Sequence, residues 1–237
     1  MRFKKLDYIR ALAVILMIFF HLNYILVEIF SINFLNHFPI FWRIIQVFWW
    51  FLFIFIAWFS FYLSSEKYKK EVNKKYIKIT LRLFILALLI SFFTYIFIPS
   101  QFISFWILHF FALWFLLLLI FKNFWYYNLI IAIILFILWF YFPIITEYKY
   151  LIFLWIVYKW FYSADYYPII PYFSYMLFWL IFAKYLSQKN KLSIFYSDSN
   201  TRFSNILSFI WKHSLLIYII HTPIIYAIIY ISLKIFN

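Results

Sequence analysis

Leu6-Asp7-Tyr8-Ile9-Arg10-Ala11-Leu12-Ala13-Val14-Ile15-Leu16-Met17-Ile18-Phe19-Phe20-His21-Leu22-Asn23 decides what kind of protein this chain is. With its apolar continuation it is long enough to cross a bilayer as one helix, yet it carries Arg10 and His21 inside that length. Ionisable groups in a membrane helix are costly and mark functional or paired positions. Eleven helical steps leave Arg10 and His21 about 20° apart in azimuth and about 16 Å apart along the axis. Asp7 and Glu28 fall within about 60° of the same stripe. One face of the first helix is thus a polar line running inward from a membrane surface.

The rest of the chain agrees with a membrane setting. Of its 237 residues 69% are hydrophobic and 12% charged, and the mean hydropathy is +0.95. A soluble domain carries about 25% charged residues. The expected fold is an all-α polytopic bundle, one domain over residues 1–237. Seven spans are predicted at about 8–30, 40–63, 77–98, 103–121, 125–143, 169–187 and 208–235. The run 150–162 is apolar but short and interrupted by Lys159, so a re-entrant or interfacial segment is expected there. The first run lacks a small-residue cleavage site and is read as a retained span, not a signal peptide.

The net charge of +14 would suit a nucleic-acid binder, but topology accounts for it. With a cytoplasmic N-terminus, Arg2, Lys4, Lys5, the five lysines of 66–75, Lys122, Lys184, Lys189, Lys191 and Arg202 all fall inside. Outside remain Arg43, Lys149, Lys159 and Lys234. That is the positive-inside pattern. No nucleic-acid partner is expected; the bilayer is, and assembly as a homo-oligomer stays open. The chain has no cysteine, which removes disulfide and thiolate chemistry.

It also has no glycine and 12 tryptophans. Usage near 7% would give about sixteen glycines, and small residues are what let membrane helices approach closely. An AT-rich gene explains the surplus of Phe, Ile, Tyr, Lys and Asn but not of Trp. The hypothesis is that some Trp positions, Trp58, Trp106, Trp179 and Trp211 among them, are encoded by UGA codons that the cell reads as glycine.

Five constellations could carry chemistry. In the first, Asp7 pairs locally with Arg10 at i,i+3, while His21 lies too deep to snorkel and suits a general base. The second is His109, about one and a half turns into the fourth span. The third is His221, one turn after Tyr218 and just before Pro223, which frees a backbone carbonyl nearby. The fourth is Lys78 and Arg82, one turn apart and able to clamp a phosphate. The fifth is Asp165-Tyr166-Tyr167-Pro168, an aromatic surface segment suited to stacking on a sugar. Three histidines on three spans suggest a shared polar cavity. They do not suggest a metal, since no pair has i,i+4 ligand spacing and no carboxylate completes a set.

Residues 6–13 followed by Phe19-Phe20-His21 resemble the first helix of the transmembrane acyltransferase superfamily, with its Arg-x10-His signature. Over nearly the full length the chain resembles a bacterial membrane family of unknown function related to the catalytic domain of heparan-α-glucosaminide N-acetyltransferase. The blocks 53–61, 102–109, 165–173 and 214–221 carry that likeness. The family has glycine where this chain has Ala11, Trp58, Trp106, Ser174, Trp179 and Trp211, and Ile25 or Leu26 stands where it has an acid. The resemblance implies acyl transfer, with acetyl-CoA as the cytoplasmic donor and a sugar hydroxyl or amine, reached from outside, as the glycan acceptor. It implies catalytic roles for His21, Arg10, Asp7, His109 and His221. Arg10, Lys78 and Arg82 would hold the CoA phosphates, and Asp165, Tyr166 and Tyr218 the acceptor. A bacterial inner-membrane location is expected. The competing expectation is a transporter or flippase of an amphipathic glycan or lipid.

Overall fold

The computed structural model describes residues 3–33, 38–97, 99, 102–124, 127–148, 150–161, 163, 166–196 and 201–236. Eight α-helices are found among the described residues. They are α1 (Lys4–Tyr24), α2 (Pro39–Tyr68), α3 (Val72–Phe97), α4 (Ile107–Phe121), α5 (Tyr127–Leu138), α6 (Ile169–Gln188), α7 (Arg202–Lys212) and α8 (Ser214–Phe236). Two three-residue strands, β1 (Ile144–Thr146) and β2 (Ile156–Tyr158), pair in parallel between α5 and α6. Among the described residues, four continuous helical stretches are long and apolar enough to cross a membrane: Lys4–Ile29, Pro39–Phe97, Ile169–Gln188 and Ser214–Ile235. The second comprises α2 and α3 joined by a single turn at Lys69–Glu71. This is an integral membrane protein, and its apolar outer faces contact lipid.

Contacts divide the chain into two compact units, 1–57 with 189–237 and 58–188, and each is described by itself. In the first unit, α1 packs along α7 and α8. Ile25, Ile225 and Ile229 form a buried cluster with Leu22, Leu26 and Leu233 packed around it. Aromatic contacts fix α1 to the first half of α2: Phe19 meets Trp42 at 4.9 Å between ring centroids, and Phe20 meets Trp49 at 6.3 Å. The last turn of the first span widens into a π-helical segment, Ile25–Ile29. Such turns re-aim side chains and recur at functional sites.

In the second unit, α3 packs on α4 and α5 on α6. Asn128, fully buried, donates from Nδ2 to the carbonyl of Phe121 at 2.8 Å. That closes one of the unpaired carbonyls at the end of α4. Thr80 Oγ1 donates to the Ala112 carbonyl, tying α3 to α4.

Three span expectations change in detail. The run expected at 208–235 is two helices, because the chain breaks at His213 (φ -104°, ψ 11°). Thr201 caps α7 by accepting from the Ser204 N–H at 3.2 Å, so that helix starts before the apolar run and buries Ser204 and Leu207. Residues 103–106, expected to open the fourth span, precede α4, which has 15 residues. With the 12-residue α5, it falls short of the roughly 20 residues of a full crossing. Within the run expected to be re-entrant or interfacial, Ile152–Leu154 form a short 3-10 turn and Ile156–Tyr158 form strand β2, whose carbonyls and N–H groups are partly satisfied by β1.

Candidate functional site

The first unit brings His21 and His221 together. Their rings meet edge to face, 4.8 Å between centroids and 79° between planes. His21 Nδ1 lies 2.9 Å from the Met17 carbonyl and His221 Nδ1 lies 2.8 Å from the Tyr218 carbonyl. A carbonyl only accepts, so both Nδ1 atoms carry hydrogen and both Nε2 atoms keep their lone pair in the neutral rings. Thr222 Oγ1 lies 3.1 Å from His221 Nε2 and donates to it. His21 Nε2 has no hydrogen bond to any described residue. Of the pair, His21 is therefore the imidazole with an open basic nitrogen.

The walls around it are aromatic. Trp49 sits 5.8 Å from the His21 ring, and its buried indole N–H has no hydrogen-bond acceptor. Tyr218 is buried, with its ring 5.8 Å from His221 and 6.3 Å from Phe53. Toward the N-terminal end of α1, Asp7 is buried and its carboxylate stands 4.0 Å from the Arg10 guanidinium. That guanidinium lies over the ring of Trp211, 4.9 Å from its centroid. Tyr8 and Ser204 hydroxyls bond at 2.6 Å, fixing α1 to α7 beside this pair.

A second feature of this unit has no precursor among the catalytic residues expected from the sequence. A cleft of about 340 Å³ lies between the end of the first span and the start of α2, and Phe20, whose ring is 5.4 Å from that of His21, is part of its wall. Asn23, Glu28, Arg43 and Gln46 supply its polar lining. Asn23 is 6% exposed, and its Oδ1 is buried with no partner. Glu28 already stands on the polar stripe read from the sequence; Asn23, two residues after His21, had no role in that reading.

In the second unit, His109 occupies the first turn of α4, buried between Phe84 (6.3 Å) and Phe105 (5.6 Å), and its Nδ1 has no hydrogen-bond partner. Lys78 and Arg82 are one turn apart on α3, both exposed. Asp165 lies outside the described residues. The Tyr166 hydroxyl donates to the Ile152 carbonyl and so braces the 3-10 turn. Burial, with the neighbouring Tyr172 hydroxyl, pushes the Tyr166 hydroxyl above the usual tyrosine range. Tyr167 N–H donates to the Phe105 carbonyl at 3.0 Å, which ties this segment to the approach of α4. Among the described residues no group of three or more His, Cys, Asp or Glu could hold a metal.

Apolar spanning helices, with a pair of contacting histidines on two of them, define an integral membrane protein. The chain belongs to the family of the heparan-alpha-glucosaminide N-acetyltransferase catalytic domain, whose model matches residues 2–223. That membership makes it an acyltransferase-like membrane protein. No curated protein and no solved structure matches the chain.

Proposed function

We propose that this chain transfers an acyl group, acetyl in the first instance, from cytoplasmic acetyl-CoA to a sugar hydroxyl or amine presented from the outer side of a bacterial inner membrane. The observation that carries this reading is the open Nε2 of His21, held in one tautomer by the Met17 carbonyl and flanked by His221. His21 accepts the proton of the acceptor hydroxyl or amine as its oxygen or nitrogen attacks the thioester carbonyl. The carbon–sulfur bond breaks, and the proton on His21 returns to the departing CoA thiolate. His221 orients and polarises the His21 ring, and Tyr218 shapes the acceptor side.

In the same proposal Asp7 holds Arg10, and Arg10, Lys78 and Arg82 bind the phosphates of CoA at the cytoplasmic surface. His109, Asp165 and Tyr166 serve the acceptor. The family match runs through both compact units, which supports one acyltransferase domain over 1–237. The charge distribution supports a cytoplasmic N-terminus and seven spans, with α4 and α5 as short crossings.

The test is acyl transfer from labelled acetyl-CoA in membranes containing the wild type or His21→Ala. Label incorporated into glycan by the wild type and lost in the variant is the expected result. Equal incorporation by both removes His21 from the mechanism. No incorporation into any acceptor, with glycan moved across the bilayer, establishes a transporter instead.

A further inference from the structure

The cleft walled by Phe20 and Trp42 adjoins a second cavity, and Arg43 lines both. The second is a groove of about 300 Å³ on the outer face of α2, walled by Ile40, Ile44, Val47, Phe48 and Phe51. The two differ in what they lack. In the cleft, the buried Oδ1 of Asn23 has no donor, and Glu28 has no hydrogen bond or ion pair among the described residues. Both groups accept, so they call for a ligand that donates, through hydroxyls or an amine. Arg43 likewise has no ion pair among the described residues, and a guanidinium calls for an anion, ideally one it can bridge. The groove offers only apolar surface. Trp42, buried and lining the cleft, adds a flat face against which a sugar ring packs.

Donor groups, then an anion, then an apolar chain, in that order along one surface, describe a single kind of molecule. We propose that the acceptor is a lipid-linked saccharide. Its sugar lies in the Asn23–Glu28–Gln46 cleft, its phosphate on Arg43, and its hydrocarbon chain in the groove along α2. The placement suits a membrane protein: Arg43 stands four residues into α2, about 6 Å from the helix start, while the 30-residue helix exceeds the hydrocarbon thickness by roughly 15 Å. Arg43 therefore sits where a phosphate at the membrane surface would be, with the groove descending into the lipid. Phe20 lines the cleft and its ring lies 5.4 Å from that of His21, so the sugar is held one side chain away from the His21 ring. The assignment of that sugar as acyl acceptor rests on the acyltransferase reading above.

The test uses the full-length chain in nanodiscs and three probes: a polyprenyl-phosphate monosaccharide, the same polyprenyl phosphate without sugar, and the sugar phosphate without a chain. Binding is read by displacement of a photoreactive polyprenyl-phosphate sugar. The complete lipid-linked sugar is expected to bind at least tenfold tighter than either fragment. Arg43→Gln should weaken all three probes, since each carries the phosphate. Asn23→Ala and Glu28→Gln should weaken only the two probes that bear the sugar, and Val47→Trp, which fills the groove, should weaken only the two probes that bear a chain. Glu28, Arg43 and Val47 are exposed, so these changes leave the fold intact, which thermal melting of each variant verifies. Equal affinity for the chainless sugar phosphate, or displacement by ordinary phospholipid as readily as by the lipid-linked sugar, overturns the proposal.

The two readings fail separately. Binding that follows this pattern without acetyl transfer leaves the site standing and removes the enzyme. Acetyl transfer to the polyprenyl-phosphate sugar at the same rate in wild type, Arg43→Gln and Val47→Trp leaves the enzyme standing and removes the lipid-linked acceptor site.

Discussion

His21 and His221 each donate from Nδ1 to a carbonyl of their own helix, and their rings then meet edge to face at 4.8 Å. The hydrogen bonds fix both tautomers from below. What distinguishes the two rings is Thr222, whose hydroxyl occupies Nε2 of His221 and leaves Nε2 of His21 open.

A group that accepts a proton in the transition state contributes about 10²–10⁴ in rate. His21→Ala should therefore lower kcat by about that factor while leaving KM for acetyl-CoA nearly unchanged. His221→Gln keeps a polar neighbour of similar shape, and its expected loss is smaller, on the order of tenfold. Steady-state kinetics on purified protein in lipid separates the two. Full activity in His21→Ala would reject the assignment.

Arg10 combines an ion pair to Asp7 with a ring contact to Trp211. Lysine supplies the charge but not the planar stack. Arg10→Gln should raise KM for acetyl-CoA about tenfold or more, and Arg10→Lys should restore only part of that loss. If KM for the donor is unchanged in both while stability falls, Arg10 is a packing residue only.

Asn128 is buried and spends its amide on the Phe121 carbonyl at 2.8 Å. Asn128→Ala leaves that carbonyl unpaired and should cost about 1–3 kcal/mol of stability. The check is a lowered melting temperature in detergent with no change in KM for either substrate.

The Tyr166 hydroxyl is neutral at ordinary pH, and burial holds its pKa above the usual range. Its folded pKa being raised, its contribution to stability is complete below the unfolded value of about 10 and is lost as pH climbs through the folded value. The wild type should thus lose stability above about pH 10 more steeply than Tyr166→Phe. Tyr166→Phe should itself cost about 1 kcal/mol near neutrality through the lost bond to Ile152. Parallel slopes for the two proteins in alkali would show that Tyr166 ionises freely.

The glycine hypothesis gains two positions from the backbone. Trp155 and Trp160 adopt φ of 72° and 70°, in the left-handed region that costs residues with a Cβ about 1–2 kcal/mol. Trp58 is fully buried with no acceptor for its indole N–H. Peptide mass spectrometry of the protein from its native cells should find glycine at 58, 106, 155, 160, 179 and 211. Tryptophan at 155 and 160 would reject the idea. Glycine at 211 would remove the ring over Arg10, so the Arg10→Lys comparison is made once that position has been read.

Residues 8–30, 40–63 and 77–98 were legible as long helices because apolar runs bounded by charge leave a chain few alternatives in lipid. His213 was not legible as a helix boundary, since Phe209 and Trp211 continue the apolar run while Thr201 and Ser204 start the helix earlier. Asp7 and Arg10 were legible as a pair because i,i+3 neighbours meet within one helix.

By itself, then, the sequence determined that this chain lives in a membrane, that its first helix carries a polar face, and which family its motifs resemble. Those properties follow from local composition and from the fixed 100° step of the helix. The tertiary structure decided which histidine stands beside His21 and which nitrogen stays open. It also decided that Arg43 joins a polar cleft to an apolar groove. His21 and His221, like the two walls of the cleft, lie on different helices, and only packing brings such residues within a few ångströms of one another.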